Sequence, residues 1–161
     1  MDRKKLMSRG FTLIELLIVI AIIAVLAAIA IPQLLKSKSA ANEKAVVSTM
    51  RGIVNGQALH LSERNNFGTL EELATRKYVD VGAVMSPASA QINLDVSFKK
   101  ANYDWLAKTP TSRNTWTVKA KPEEYNVTGK NAYFVDESGT LRFADGTGGT
   151  FTAGPTSPAL Q

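Results

Sequence analysis

The sequence is constrained most by one unbroken apolar run near its N-terminus. Residues 16–31 are drawn only from alanine, valine, isoleucine and leucine. Residues 16–35 carry no charge, and a helix of that length, at about 1.5 Å per residue, covers the roughly 30 Å hydrocarbon core of a bilayer. The run therefore predicts a helix that can span a membrane.

The first ten residues of the chain predict the orientation of this run. They hold four of the chain's 19 lysine and arginine residues and only one of its 14 acids. A basic cluster on the N-terminal side of a membrane segment keeps that end in the cytoplasm, so we expect the C-terminal part of the chain in the periplasm. Because these residues carry most of the net charge of +5, the rest of the chain gives little compositional reason to expect nucleic-acid binding.

Two simpler interpretations of the N-terminus stay open. Ala28-Ile29-Ala30 has the small residues of a secretory cleavage site, which would release a domain that begins at Ile31, and the run could also be a plain single-pass anchor. Glu15 argues against both, because an unpaired carboxylate at the start of a membrane segment costs on the order of 1 kcal/mol or more. Small and apolar residues also continue beyond Pro32, so we expect the helix to run on past the membrane.

A family motif lies at the start of the apolar run. Arg9-Gly10-Phe11-Thr12-Leu13-Ile14-Glu15 resembles the cleavage and methylation motif of type IV prepilins and type II secretion pseudopilins. The resemblance extends over residues 5–57 and includes Pro32, which stands where many pilins have a kink. Over the rest of the chain only the layout is similar. The resemblance implies a pilin fold and a filament subunit.

The resemblance also implies how the N-terminus is processed and used. A prepilin peptidase, which is a membrane aspartyl enzyme, would cut between Gly10 and Phe11 on the cytoplasmic side and N-methylate Phe11. The new ammonium would have an ordinary pKa of about 7.7–8.0, and Glu15 lies one helical turn from it. By resemblance, Glu15 of an incoming subunit pairs with Phe11 of the previous one, and copies of the chain polymerise through this helix. Phe11, Glu15 and Pro32 are therefore the expected assembly residues.

The remaining sequence predicts an α+β fold that begins with more helix. Residues 36–64 are interpreted as an amphipathic continuation, whose apolar positions recur at three- and four-residue steps: Val47, Met50, Val54, Ala58 and Leu61. Gly52 and Gly56 weaken this helix and indicate a bend or early end near Gly56, or else a close packing contact. Thr69 and Glu72 have the spacing of a capping box, which predicts a short helix to about residue 77.

An antiparallel sheet is predicted after this point. Strands are expected at residues 103–108, 116–121, 132–135 and 141–143, and the alternation of Ile92, Leu94, Val96 and Phe98 indicates another. Within 116–121 the apolar residues alternate with polar ones: Trp116, Val118 and Ala120 against Thr117, Lys119 and Lys121. Residues 136–139 have the composition of a hairpin turn. The predicted organisation is a cleaved basic leader at 1–10, a transmembrane and filament-core helix at 11–35, an amphipathic helix at 36–64, a connecting region at 65–100, the sheet at 101–144, and a mobile tail with almost nothing to bury at 145–161.

Other chemistries have little support in the sequence. There is no cysteine, and the only histidine, His60, belongs to no motif with a nucleophile or a metal ligand, so it is interpreted as a surface residue and an enzyme is not expected. Asp136, Glu137 and Asp145 could offer oxygens to calcium, but their spacing fits no calcium loop, and no cofactor is expected.

A set of basic and aromatic residues in the sheet region could form a nucleic-acid-binding face. A solvated sheet face over core aromatics explains the same residues better, so nucleic acid is not an expected partner. The set is Lys99, Lys100, Arg113, Lys119, Lys121 and Lys130, with Tyr103, Trp105 and Trp116.

The sequence thus predicts a structural protein of the bacterial inner membrane. The preferred function is a subunit of a type IV pilus-like filament, stored in the membrane and added to the filament by inner-membrane assembly machinery. A pseudopilin of a type II secretion system is the nearest alternative. A membrane-anchored or released periplasmic binding module is a third, and it would make the motif at Gly10 a coincidence.

Overall fold

The computed structural model of the chain describes residues 11–80, 95–109, 112–147 and 152–160. Two helices precede five strands: α1 (Leu13–Arg64), α2 (Leu70–Thr75), β1 (Asp95–Lys100), β2 (Tyr103–Lys108), β3 (Thr117–Pro122), β4 (Asn131–Asp136) and β5 (Arg142–Asp145). The expected α+β fold, with a long N-terminal helix and a small antiparallel sheet, is confirmed. The chain divides within α1 into two units, Met1–Lys36 and Ser37–Gln161.

The described part of the first unit consists of α1 up to Lys36 and of the two residues before the helix. Its apolar side chains are exposed. Leu16 is 61% exposed and Ile31 is 56% exposed. The helix is long and apolar enough to cross a membrane, and no part of its most apolar stretch is buried. Pro32 lies inside the helix. Because soluble surfaces rarely carry so much contiguous apolar area, this segment requires lipid or other helices around it.

The second unit is built on a sheet whose strands follow one another in chain order, each antiparallel to the next. One row of the buried face crosses all five strands, since Phe98 pairs with Trp105, Trp105 with Ala120, Ala120 with Tyr133, and Tyr133 with Phe143. The rings of Phe98 and Trp105 stack with centroids 5.3 Å apart. The predicted alternation in β3 is confirmed, because its even-numbered residues are buried and its odd-numbered ones are not.

The sheet begins earlier than predicted. Strand β1 lies within the segment assigned to the connecting region, and of the alternating residues that indicated a strand there, Ile92 and Leu94 lie outside the described residues. The turn from β1 to β2 is Ala101-Asn102, and both residues have positive φ, 55° and 58°. Such two-residue hairpin turns are usually indicated by Asn-Gly or Asp-Gly, so Ala101 gave no signal in the sequence.

The buried face of α1 differs from the predicted one. Its buried residues are Val46, Met50, Ile53, Gly56, Gln57 and His60. Of the predicted face, Met50 is buried and Val47 and Val54 are half-buried against the same core, whereas Ala58 is exposed and Leu61 is 39% exposed. The helix also continues to Arg64, so the early end considered near Gly56 is wrong. The error arose because the last two turns bury polar side chains, which a hydrophobic pattern cannot find.

Those polar side chains hold the loop that follows α1. The Gln57 amide donates to the Gly68 carbonyl at 2.8 Å and accepts from the Gly68 N–H at 2.9 Å. His60 Nδ1 lies 2.9 Å from the Asn66 carbonyl oxygen, and the side chain is only 4% exposed. The interpretation of His60 as a surface residue is therefore wrong. Its burial is stable because the loop supplies a hydrogen-bond partner.

The start of α2 continues this polar contact. Thr69 and Glu72 form the predicted capping box, with bonds of 2.9 and 3.2 Å in the two directions. The Arg113 guanidinium donates to both Glu72 oxygens at 2.9 and 3.0 Å. Burial raises the pKa of Glu72, but the Thr69 N–H and Arg113 outweigh it and hold the pKa below its ordinary value. Glu72 thus joins α2 to the segment before β3.

A carboxylate of α1 holds the beginning of β4. Glu43 accepts from the N–H groups of Lys130 and Asn131 at 2.7 and 3.2 Å, and from the Tyr133 hydroxyl at 3.2 Å. Burial, and after it the negative charge of Glu43, raise the pKa of Tyr133 and of Tyr103. Both phenols therefore stay protonated and able to donate. The strand is positioned against the helix by charge-assisted hydrogen bonds as well as by apolar contact.

The C-terminal residues close the β5 edge of the sheet. Ala153 is 1% exposed and packs with Phe134 on the face opposite α1. The Leu160 N–H donates to the Leu141 carbonyl at 2.7 Å, and Leu160 contacts the main core. The expectation that residues 145–161 bury almost nothing is therefore wrong for the described part of this segment. Its mobility stays a prediction.

Two glycines of α1 differ in what surrounds them. A Cβ added at Gly56 would lie 2.8 Å from Val79 Cγ1 and 3.3 Å from Tyr78 Cβ, whereas one at Gly52 would meet nothing within 4 Å. The close packing considered in the sequence is thus found at Gly56 and not at Gly52. Gly56 lets the segment after α2 approach the helix directly.

This contrast predicts opposite effects of one substitution. Gly52→Ala should stabilise the protein by up to about 1 kcal/mol, because alanine is the better helix former. Gly56→Ala gains the same propensity but overlaps Val79, and we expect it to be about 1–3 kcal/mol less stable than Gly52→Ala. Near-ultraviolet dichroism of Trp105 and Trp116 during urea unfolding in detergent would measure both. Equal stability of the two variants would contradict the close contact at Gly56.

The lowered pKa of Glu72 predicts a dependence of stability on acid. The ionised carboxyl stabilises the native state fully above its ordinary pKa of 4.5, and this contribution is lost as the pH falls through the lower native value. Since Glu72 is 37% exposed, solvent screening limits the contribution to below about 1 kcal/mol. Glu72→Gln should be less stable than the unsubstituted chain at about pH 7, and the difference in stability between the two should shrink as the pH falls from 4.5 through the lower native pKa of Glu72. A constant difference across that range would contradict the ionic role.

Candidate assembly site

The start of α1 is capped by two of its own side chains. The N–H and the hydroxyl of Thr12 donate to the same oxygen of Glu15, Oε2, at 2.8 and 2.7 Å. The Glu15 N–H donates in return to the Thr12 hydroxyl at 3.3 Å. This reciprocal pattern is a capping box, which satisfies backbone groups that the first turn of a helix leaves unpaired. It fixes the rotamer of Glu15 and leaves Oε1 without a hydrogen bond among the described residues.

The chain does not by itself bring the predicted assembly residues together. Gly10 lies outside the described residues. Phe11 is 89% exposed, and Glu15 is also exposed. Pro32 is seventeen positions beyond Glu15 in the same helix, which corresponds to about 25 Å of axial rise. Any site that uses both ends of this segment therefore requires neighbouring helices.

The role of Thr12 escaped the sequence interpretation. Thr12 and Glu15 have the same threonine-x-x-glutamate spacing, just before an apolar run, that predicted the capping box at Thr69 and Glu72. The sequence interpretation paired Glu15 only with the Phe11 terminus, within one chain or between subunits, and not with Thr12. The capping-box signal was present and would have found Thr12.

The comparisons with known proteins concern this same segment first. The family model described as the prokaryotic N-terminal methylation motif matches residues 5–31. This match includes the whole Arg9-to-Glu15 motif and the apolar run. It covers only the N-terminal part of the chain, so the similarity of the second unit must come from individual relatives.

One relative extends the similarity well beyond the N-terminal motif. The type IV wide pilus major component PilA4 of Thermus thermophilus is 34% identical over 130 residues, which are 72% of this chain and 95% of that protein. The chain belongs to the type IV pilin family. Two other relatives match over shorter stretches: the type IV major pilin protein PilA of Myxococcus xanthus, 40% identical over 60 residues, and the type II secretion system core protein G of Aeromonas hydrophila, 32% identical over 63 residues.

The shorter matches differ in how much they cover. The Myxococcus pilin matches 37% of this chain and 27% of its own length, and the Aeromonas protein matches 39% and 44%. The pilin family of this chain is structural, and its relatives named here are pilins and a secretion-system core protein. The chain is thus a filament subunit that assembles with related pilins.

The basic and aromatic residues of the pilin's sheet do not combine into one surface. Trp105 and Trp116 are 1% and 2% exposed, as expected of core aromatics. On the outer face, Asp104 lies 3.5 Å from Lys99 and 3.0 Å from Lys121, so an acid is interleaved between the two lysines. Tyr103 is also fully buried. This arrangement agrees with the solvated face expected from the sequence.

Two of the acids considered for calcium, Asp136 and Asp145, have other partners. Asp136 accepts from the Ser138 N–H at 3.0 Å, and Asp145 accepts from the Thr147 N–H at 3.0 Å and from the Tyr125 hydroxyl at 3.3 Å. Within the described parts of the pilin, no group of three or more acids or histidines is placed to hold a metal ion. That the pilin needs no cofactor stays a prediction.

Proposed function

We propose that this pilin is the shaft-forming subunit of a type IV pilus, matured by cleavage between Gly10 and Phe11 and polymerised by pairing of Glu15 with the Phe11 terminus of a neighbour. The similarity to a pilus major component over 95% of that protein's length carries the proposal, because it extends well beyond the N-terminal motif. The family motif at residues 5–31 supports the processing step. Prepilin peptidase and inner-membrane assembly machinery are the partners that this processing requires.

The geometry of α1 supports the pairing of Glu15. An exposed carboxylate next to an apolar segment is unfavourable in a membrane unless a cation neutralises it. The Thr12 bonds orient Glu15 through one oxygen and leave the other available to an ammonium donor. A methylated Phe11 terminus would be cationic at neutral pH, and a charge-assisted bond to Glu15 would set the axial register of adjacent helices.

The membrane arrangement follows from the same segment. The basic residues before the apolar run favour an N-terminus in the cytoplasm, which places the second unit in the periplasm. Cleavage on the cytoplasmic side would then keep the helix in the membrane as a store of subunits. The exposed apolar surface of residues 13–35 would exchange lipid contacts for helix contacts when the subunit enters the filament.

A pseudopilin of a type II secretion system is the second candidate. The similarity to core protein G of Aeromonas hydrophila supports it, but that match covers 39% of this chain. The pilus role is preferred because the similarity to PilA4 covers 72% of the chain. Loss of surface pili, with secretion unaffected, would be the expected phenotype of a deletion.

The processing proposal is tested by the mass of the mature N-terminal peptide. Purified envelopes should yield a peptide that begins at Phe11 and carries one additional methyl group. Gly10→Val should block cleavage and leave the leader attached, because a side chain would keep the backbone from the peptidase site. A mature chain that begins at Ile31 or at Met1 would contradict the proposal.

The pairing proposal is tested by removing the carboxylate. Glu15→Ala should be cleaved and methylated normally but should lower the yield of sheared filaments at least about tenfold, the effect of losing about 1.4 kcal/mol at each subunit contact. Thr12→Val keeps the carboxylate and removes only the capping hydroxyl, so we expect it to retain most of the filament yield. Normal filament yield from Glu15→Ala would refute the pairing.

A further inference from the structure

One turn of the second unit is held by more hydrogen bonds than its length requires. Residues 123–130 connect β3 to β4 and are called the β3–β4 turn below. The N–H groups of Val127 and Thr128 both donate to the Glu124 carbonyl, at 3.2 and 2.9 Å. The Thr128 hydroxyl accepts from the Glu124 N–H at 3.0 Å. The turn is therefore a closed hydrogen-bonded ring.

Contacts with the rest of the unit fix the position of this turn. The Asn42 side chain of α1 donates to the Thr128 carbonyl at 2.8 Å. A Cβ added at Gly129 would lie 1.9 Å from the Tyr103 hydroxyl oxygen, so the backbone passes directly against a buried tyrosine. The β3–β4 turn is thus rigid on both sides. Binding through a rigid turn costs little conformational entropy.

The outward side chains of the β3–β4 turn take no part in the contacts that fix its position. Glu124 is exposed, and its carboxylate forms no ion pair with the described residues. Val127 is 41% exposed, which makes it one of the few large apolar side chains exposed on the second unit. Asn126 is also exposed, at a φ of 62°. A rigid turn therefore presents an acid and an apolar group that have no role in the fold.

A groove with the opposite character runs along α1 in the same unit. Lys44 and Arg51 are exposed two helical turns apart, about 10 Å, and neither forms an ion pair with the described residues. Val47 lies between them, and the groove is bounded by Tyr133 of β4. Glu43 also lines the groove, but its carboxylate accepts hydrogen bonds from the start of β4, as described above. The groove thus offers two cations above an apolar floor.

We propose that the β3–β4 turn of one copy of this pilin docks into the α1 groove of a second copy. Glu124 then lies between Lys44 and Arg51, and Val127 covers Val47. The charges and the apolar groups of the two surfaces are complementary, and a filament supplies copies of this chain at high local concentration. The inference rests on the proposed filament function and names a contact between the second units.

The contact has a consequence for symmetry. The turn and the groove are different surfaces of one chain, so each copy uses its turn on one neighbour and its groove on another. Such a heterologous contact does not close on itself in pairs, and it continues as an open helical assembly when the rotation between neighbours does not close a ring, as in a filament. The contact therefore adds to the helix pairing at Glu15 without competing with it.

Cysteine crosslinking tests the contact directly, because the chain has no cysteine of its own. Full-length chains with Ser48→Cys in the groove and Val127→Cys in the turn should, after mild oxidation of filaments, give a ladder of covalent multimers on non-reducing gels. Each single variant can give at most a dimer. The matched control combines Ser48→Cys with Glu71→Cys, an exposed position on α2, and should give no ladder.

Charge exchange provides a second readout. Glu124→Arg and Arg51→Glu should each lower the filament yield about two- to fivefold, as expected for one exposed ion pair, and the double variant should recover it. Glu71→Arg should leave the yield unchanged and should not rescue Arg51→Glu. Filaments that form normally but give neither ladder nor rescue would overturn this contact alone. Absence of filaments from the unsubstituted chain would overturn the proposed function and the contact with it.

Discussion

The fold of the second unit depends on how one face of α1 packs and forms hydrogen bonds against the sheet. Val46, Met50 and Ile53 are fully buried, and burial of each contributes about 1.5–3 kcal/mol. On either side of this apolar patch the helix contributes polar groups, Glu43 before it and Gln57 after it. Apolar burial alone would let the helix slide or rotate on the sheet. The fixed directions of the hydrogen bonds select one register, because an unpaired buried donor costs about 1–3 kcal/mol.

The first unit follows the opposite principle. Its apolar side chains are exposed along the described helix, so no described residue of the unit covers them. Such a segment is stable only in lipid or among other helices, and both environments penalise an unpaired charge. Glu15 is therefore the one residue of the segment whose free energy depends strongly on its neighbours. Its capping bonds to Thr12 hold the carboxylate at the start of the helix through Oε2, and Oε1 is left for a cationic partner.

Much of this organisation could be predicted from the sequence, because it depends on patterns that act locally. The apolar run, the motif at Gly10 and the strand alternation around Val118 are of this kind. The buried face of α1 could not be predicted, since Gln57 and His60 are buried only because each forms a hydrogen bond with a carbonyl of the following loop. The alternation that includes Phe98 indicated β1, but the hairpin that joins β1 to β2 gave no signal for a related reason. Its turn uses Ala101 at positive φ, and the surrounding sheet must stabilise a conformation that alanine does not favour alone.

The closure of the sheet edge bears on how such a subunit can polymerise. An open edge strand is a template for pairing with another chain, and a subunit stored at high density in a membrane would be exposed to that hazard. In this pilin the Phe143 N–H of β5 donates to the Pro158 carbonyl, and Ala153 covers Phe134. A disulfide cannot fasten this region, because the chain has no cysteine. At the β5 edge, closure by hydrogen bonds and small apolar contacts instead removes backbone pairing as a route of association, so a neighbour can meet this edge only through side-chain surfaces.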